Sequence, residues 1–352
     1  MNFTFTQEQV AFRDSISRFF MTEAPPEMLR EIWETDAGRS PGLRAKITEQ
    51  GLFSLSVPEA EGGMGLGDVD WALMTQELGY YAIPDSMSDT AYVATGLLAA
   101  LEPGHPLRAR WLARIPDGSC RIAVGHPVNP WVADAALADV LLLAHGDEVH
   151  AVPRAEVVLT PLHSIDASRR LARVEWQPGP ATLVASGEQG RAMWAETLDR
   201  GALNVSGQLI GLAQRMLDLA VDYAAQRKQF GKPIGSFQAV KHHLADVMTR
   251  IEFAKPVLYR AVYALEHAEA QRALHTSHAK LACAEAAWLA ARKAIQVHGA
   301  MGYTWEVDLQ MFMKRAWVLD AAWGDRAFHK GRVSEALLGA GAPLGPTAVF
   351  SN

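Results

Sequence analysis

The chain has 352 residues, 49% of them apolar and 20% charged, enough to bury the cores of two to three domains of ordinary size. Its 33 basic and 39 acidic residues leave a formal net charge of −6, which argues against a nucleic-acid surface. No run of roughly eighteen apolar residues predicts a membrane span, and Met1 to Thr6 carry no basic-then-apolar leader. The two cysteines, Cys120 and Cys283, stand far apart and belong to no Cys/His cluster, so neither a disulfide framework nor a zinc site is expected and a reducing cytoplasm is the expected location.

The first segment reads as a helix opened by a Thr6–Gln9 capping box, with Phe12, Ile16, Phe19 and Phe20 along one stripe. Gly51 to Pro58 is a short apolar run closed by proline, and Glu61 to Gly67 is a glycine-dense loop. Gly62, Gly63 and Gly65 make a turn between helices there; no strand feeds them and no Gly-Lys-Ser follows, so they form no phosphate loop. Further helices are predicted from Asp68 through Gly79 and from Thr90 to Leu101, the latter broken by Pro103, Gly104 and Pro106. From Ser119 to Gly187 the runs 121–124, 140–144, 149–152, 157–161 and 174–176 favour strands and predict a small antiparallel β region. The rest is helical. Helices are predicted over 191–226, from Phe237 with a kink or break at Pro256, over 274–297, and once more after Trp305. The expected fold is mainly α with a central β domain: a helical domain over 1–118, a shortened β domain over 119–188 and a four-helix bundle over 189–352.

Three stretches resemble the acyl-CoA dehydrogenase family. Arg227-Lys-Gln-Phe-Gly-Lys-Pro-Ile-Gly-Ser-Phe-Gln238 is similar to its R-x-x-F-G-x6-Q segment, and Gln296-Val-His-Gly-Ala-Met-Gly-Tyr-Thr304 to its Q-x-x-G-G-x-G-[YF] segment. Val57-Pro-Glu, Glu61-Gly-Gly-Met-Gly-Leu66 and Glu77-Leu-Gly79 are similar to its N-terminal helical domain. The chemistry of these residues agrees. An arginine at a helix end makes charge-assisted bonds to a pyrophosphate. Phe230 offers an apolar face, Gly231 a tight turn, and Gln238 and Gln296 paired donors and acceptors. Gly299, followed by Ala300 where the family has a second glycine, permits close backbone approach to a ligand. Singly, Arg227 also suits a helix dipole and Phe230 an ordinary core; the spacing across twelve residues, repeated by a second motif, is what favours a cofactor site. The resemblance implies FAD reached from a neighbouring subunit, hence an oligomer, with an acyl-CoA as substrate and an electron-transfer flavoprotein as an electron acceptor.

The same resemblance exposes selective losses. The family abstracts a proton α to the thioester carbonyl with a glutamate. Counted from Gly302-Tyr-Thr304, that position holds Trp323; counted back from Gly211-Leu-Ala213, the alternative position holds Gly201. Asp199 stands about 200° round the helix from Gly201, and Asp320 and Asp325 read as solvated or capping carboxylates. In the β region Val124-Gly-His126-Pro-Val-Asn-Pro130 replaces the strand and loop that supports the flavin ring, and a second supporting strand is missing; His126 is a lone loop histidine. Asp325 replaces a threonine that helps to hold a subunit's own flavin, and a carboxylate there repels a pyrophosphate. Three readings follow, in this order: a non-catalytic partner of a complete acyl-CoA dehydrogenase chain, acting on bulky substrates such as steroids; a homo-oligomeric dehydrogenase with a relocated base; and a structural or regulatory protein without flavin. Trp323 is expected to be buried, filling the acyl pocket.

Overall fold

The computed structural model describes residues 4–342 and residue 345. Its N-terminal elements are α1 (Gln7–Glu23), α2 (Pro26–Glu34), α3 (Pro41–Glu49), α4 (Asp68–Tyr80), a π-helical turn at Asp89–Ala94 leading into α5 (Thr95–Ala99), and α6 (Pro106–Leu112). The strands are β1 (Ile122–Gly125), β2 (Val132–Ala133), β3 (Val140–His145), β4 (Glu148–Pro153), β5 (Val158–Leu162), β6 (Leu171–Glu175) and β7 (Leu183–Ala185). Then come α7 (Gly187–Gln226), the hairpin β8 (Lys228–Gln229) and β9 (Lys232–Pro233), α8 (Gln238–Glu266), α9 (Arg272–His298), α10 (Leu309–Ala321) and α11 (Arg326–Leu338).

The chain divides into two compact units. The first takes the residues up to Pro26, Asp68–Ile83 and those from Val205 onward. The capping box that opens α1 is formed: Gln9 N donates to Thr6 Oγ1 at 3.2 Å and Thr6 N to Gln9 Oε1 at 3.0 Å. Helices α4 and α7 approach closely at glycines of α7. A Cβ at Gly207 would stand 1.9 Å from Thr75 Oγ1, and one at Gly211 1.9 Å from the Gln76 carbonyl. Alanine plays a similar part in α9, where Ala279, Ala284, Ala286, Ala287, Ala290, Ala291 and Ala294 are buried. Helices α8 and α9 run antiparallel, clasped by Lys293 to Asp246 (3.8 Å) and by Arg250 to Glu285 (3.7 Å).

Two helical expectations change here. Helix α8 runs unbroken through Pro256, because proline removes a single ladder bond while the buried Ile251, Ala254, Leu258 and Ala261 hold both sides in the bundle. The single helix expected after Trp305 is two, α10 and α11, separated where Trp323 and Gly324 take left-handed backbone (φ 57° and 90°).

The second unit takes Glu27–Gly67 and Pro84–Asn204. Its β region is not wholly antiparallel. β1 pairs with β3 in parallel (Ile122 with Val140), in a sheet of order β1-β3-β4-β7; β2, β6 and β5 form a second sheet. The cause is the connection from β1 to β3. It detours through β2 in the other sheet, so the chain re-enters the first sheet in the direction in which it left. Ala123, Val132, Leu141, Leu143, Val152, Val157 and Ala172 from both sheets make one apolar cluster. α2, α3 and α6 were not expected; each is short, and α3 and α6 start on proline behind a capping Ser40 and His105.

Candidate flavin-facing surface and family base position

The R-x-x-F-G segment folds into the β8–β9 hairpin. Its two turn residues, Phe230 (φ 53°) and Gly231 (φ 77°), both lie in the left-handed region, the pattern of a type I′ turn. Glycine takes this freely; phenylalanine pays about 1–2 kcal/mol for it. The ring gains no burial in exchange, since Phe230 is 92% exposed. A large apolar ring held in strained backbone and pointed outward is a functional signature. Phe237 supports it from below: the rings cross edge to face at 6.1 Å, and the Lys232 ammonium sits 4.5 Å over Phe237.

The turn is fastened to the end of α7. Ile234 N donates to the Arg227 carbonyl, and Arg227 N to the Tyr223 carbonyl, both at 2.8 Å. The Tyr223 ring stacks on His298 at 4.3 Å, joining the end of α7 to the end of α9, which carries Gln296 and Gly299. Lys293 Nζ donates to His243 Nδ1 at 2.8 Å and ties the start of α8 to that same end of α9. The two sequence motifs thus share one region of the first unit. Arg227, Phe230, Gln238, Gln296, Gly299 and Ala300 are all exposed. Among the described residues the side chains of Arg227, Gln238 and Gln296 have no hydrogen-bond or ionic partner. With Lys228 and Lys232 also exposed, the hairpin and the adjoining ends of α8 and α9 offer three cations, an aromatic face and two amides. That set fits a dinucleotide: cations for phosphates, amides for base or ribityl groups, an aromatic face for a ring. Gly299 (φ 62°) has open space where a Cβ would stand, as close approach to a ligand requires.

The position that the resemblance assigns to the base has the opposite character. Trp323 is 5% exposed. Lys280, 1% exposed, donates from Nζ to the carbonyls of Asp320 (2.7 Å) and Gly324 (3.1 Å), gripping the bend from both sides. His329 Nε2 donates to the Trp323 carbonyl at 2.9 Å, which leaves Nδ1 to accept from Ser277 Oγ at 3.1 Å. Burial pushes this imidazole down to about 4, so it stays neutral. Asp325 caps α11, accepting from Phe328 N at 2.8 Å, and Asp320 pairs with Arg326 at 2.8 Å. Both carboxylates are thus occupied. Gly201 is buried in α7 and brings no side chain.

His126 is held at both nitrogens. Val128 N donates to Nδ1 at 3.0 Å, so Nε2 carries the proton and donates to the Trp194 carbonyl at 3.1 Å. It fastens its loop to α7. One carboxylate escaped the sequence reading. Asp89, half-buried on the π-helical turn, accepts from Asn204 Nδ2 at 3.2 Å, and burial raises its pKa to about 6. Asn204 lies one turn along α7 from Gly201, so Asp89 comes close to the alternative base position from another element. Only the π-turn hints at it in the fold, and π-turns often mark functional places.

Residues 6–119 match the family description "Acyl-CoA dehydrogenase, N-terminal domain", and residues 188–338 match "Acyl-CoA dehydrogenase, C-terminal domain". Acyl-CoA dehydrogenase IpdE2 of Mycobacterium tuberculosis (strain ATCC 25618 / H37Rv) is 33% identical over 313 residues, 88% of this chain and 91% of that protein. The chain belongs to the acyl-CoA dehydrogenase family. In fold it is similar to a chain of the ChsE4-ChsE5 complex of M. tuberculosis (TM-score 0.85, 22% identity, 98% of this chain and 100% of that one). It is also similar to the Tcur3481-Tcur3483 steroid ACAD G363A variant (TM-score 0.84, 21% identity, 96% and 99%). Among the described residues no helix is long and apolar enough to cross a membrane.

Proposed function

We propose that this chain is a subunit of an oligomeric acyl-CoA dehydrogenase that completes the FAD site of a neighbouring chain and contributes no glutamate base of its own. The observation that carries the reading is the outward set Arg227, Phe230, Gln238 and Gln296: Phe230 is held in strained backbone, and the other three side chains have no hydrogen-bond or ionic partner among the described residues. FAD, when bound, supplies the hydride acceptor for α,β-dehydrogenation of an acyl-CoA. Toward it, the Arg227 guanidinium would neutralise phosphate, Phe230 would cover a ring face, and the two glutamines would pair with polar edges. The other half of a flavin site is poorly supplied. By the resemblance, Trp323 takes the place of the proton acceptor and the Asp325 carboxylate that of a neutral hydroxyl. The favoured partner is therefore a complete acyl-CoA dehydrogenase chain; among the chains similar in fold, one is from the ChsE4-ChsE5 complex and one from the Tcur3481-Tcur3483 steroid ACAD. By the same analogy a bulky, steroid-like acyl group is the substrate class.

Asp89 favours a second reading, an active enzyme with a relocated base. A carboxylate raised to about 6 holds a proton-accepting form at neutral pH while being a stronger base than an ordinary aspartate. One experiment separates the readings. The chain is co-expressed with a complete acyl-CoA dehydrogenase chain, and flavin content and acyl-CoA-dependent dye reduction are measured for wild type, Arg227→Ala and Asp89→Asn. The subunit reading expects flavin to fall with Arg227→Ala and turnover to survive Asp89→Asn. Loss of turnover with Asp89→Asn at unchanged flavin content puts the base in this chain.

A further inference from the structure

The tip of the β3–β4 hairpin carries a second constellation that the flavin reading does not use. His145 ends β3, Glu148 opens β4 directly opposite it, and His150 follows two residues on. Side chains two apart on a strand share a face, and so do cross-strand partners, so the His-x2-Glu-x-His spacing puts all three side chains together. Glu148 Oε2 lies 3.1 Å from His145 Nδ1 and 3.0 Å from His150 Nε2, and the three donor atoms fall within 4.8 Å of one another.

The hydrogen bond at His150 Nδ1 orients the ring within this cluster. Thr182 Oγ1 donates its one proton to the Gly179 carbonyl at 3.1 Å. It therefore accepts from His150, 3.0 Å away, and Nδ1 must carry a hydrogen. That leaves Nε2 directed at a Glu148 carboxylate oxygen 3.0 Å away, a pair of groups that a proton or a metal cation between them would join. The ring is held for that role, 2% exposed and 5.0 Å from Trp176. Fixing one nitrogen of an imidazole through a hydrogen bond to orient the other is how proteins prepare a metal-binding histidine. The side chain of Glu148 is 34% exposed and that of His145 62%, so the cluster is open to solvent on one side and an ion has an entry path.

We propose that His145, Glu148 and His150 bind a divalent transition-metal ion of the zinc class, leaving its remaining position to water. Two imidazole nitrogens and a carboxylate oxygen are the donor set that such ions take, and three protein ligands with one open position is a common zinc arrangement. The ion would clamp the hairpin tip, which also reaches α7: Trp194 Nε1 donates to the Glu148 carbonyl at 3.0 Å, and Arg191 pairs with Asp147 at 2.8 Å.

The test uses the full chain, purified without a histidine tag, stripped with a chelator and titrated with Zn2+ against a chromophoric competitor. The expected result is saturation at one Zn2+ per chain and a higher unfolding temperature with metal than without. Affinity should fall at least tenfold in Glu148→Gln and in His145→Ala, the latter altering an exposed ring and leaving the fold intact. His150→Ala is informative only where its circular dichroism matches wild type. Absence of Zn2+ binding, or binding with equal affinity by wild type and His145→Ala, overturns the proposal and leaves the cluster an ion-pair network.

Discussion

Two aromatic–glycine pairs in this chain share a backbone and differ in everything else. Phe230-Gly231 and Trp323-Gly324 both place an aromatic residue in left-handed backbone followed by a left-handed glycine. The Phe230 ring is 92% exposed, and the side chains of Arg227, Gln238 and Gln296 have no hydrogen-bond or ionic partner among the described residues. Trp323 is 5% exposed, and the carbonyls of its bend are taken by the buried Lys280 and His329. One turn is left incomplete, as an interface is before its partner arrives. The other is saturated from within, as a core is. Under the proposed function, capacity to bind is kept at the Phe230 turn, on the surface proposed to meet a neighbour, and not at Trp323, where the resemblance puts the base.

Breaking the saturated side should have the largest effect on stability. Lys280→Met leaves the Asp320 and Gly324 carbonyls buried without their donor, and is expected to cost about 2–4 kcal/mol in urea unfolding. A change below about 0.5 kcal/mol would show that the bend does not depend on that lysine. The same region should make stability fall in acid. Unfolded, His329 takes up a proton near its ordinary pKa of about 6.5; folded, it resists until about pH 4. The unfolded chain binds the extra proton in that window. The contribution is fully present above pH 6.5 and is lost, by up to about 3 kcal/mol, as pH falls toward 4. His329→Gln should flatten that part of the urea-midpoint profile.

The open side should respond in binding and not in folding. Arg227→Ala is expected to weaken flavin retention by the assembled complex about 10- to 100-fold, the loss of one charge-assisted phosphate contact. The unfolding midpoint of the isolated chain should stay within about 0.5 kcal/mol of wild type. The smallest effect sharpens the contrast most. Phe230→Asn installs Asn-Gly, the sequence a type I′ turn prefers, and should stabilise the isolated chain by about 0.5–1 kcal/mol while weakening flavin retention in the complex. A destabilised Phe230→Asn chain would mean that the exposed ring serves the fold after all.

What the sequence revealed about these regions follows from how local each signal is. The Thr6–Gln9 box and the turn chemistry at Gly231 lie within a few residues of chain, and they were legible. The Arg227-to-Gln238 spacing was legible as a family pattern. The exposure of its side chains was not, because it depends on which faces the bundle leaves uncovered. The parallel pairing of β1 with β3 is set by a detour through a second sheet and has no signature in either strand. Pro256 is a strong local breaker overridden by packing along α8. Asp89 reads as one more acidic residue until the fold sets it against Asn204, 115 residues away in sequence. The His145, Glu148 and His150 cluster was not legible, because it contains no cysteine and its His-x2-Glu-x-His spacing becomes a cluster only on a hairpin.

The measurement that bears most directly on the central claim is the visible absorption spectrum of the chain purified alone, beside that of the same chain co-purified with a complete acyl-CoA dehydrogenase partner. A colourless chain alone and a flavin band in the complex that diminishes with Arg227→Ala is the predicted result. A flavin band near one per chain in the protein purified alone would contradict the account, since this chain would then build a whole site by itself and Asp89 would become the residue to examine.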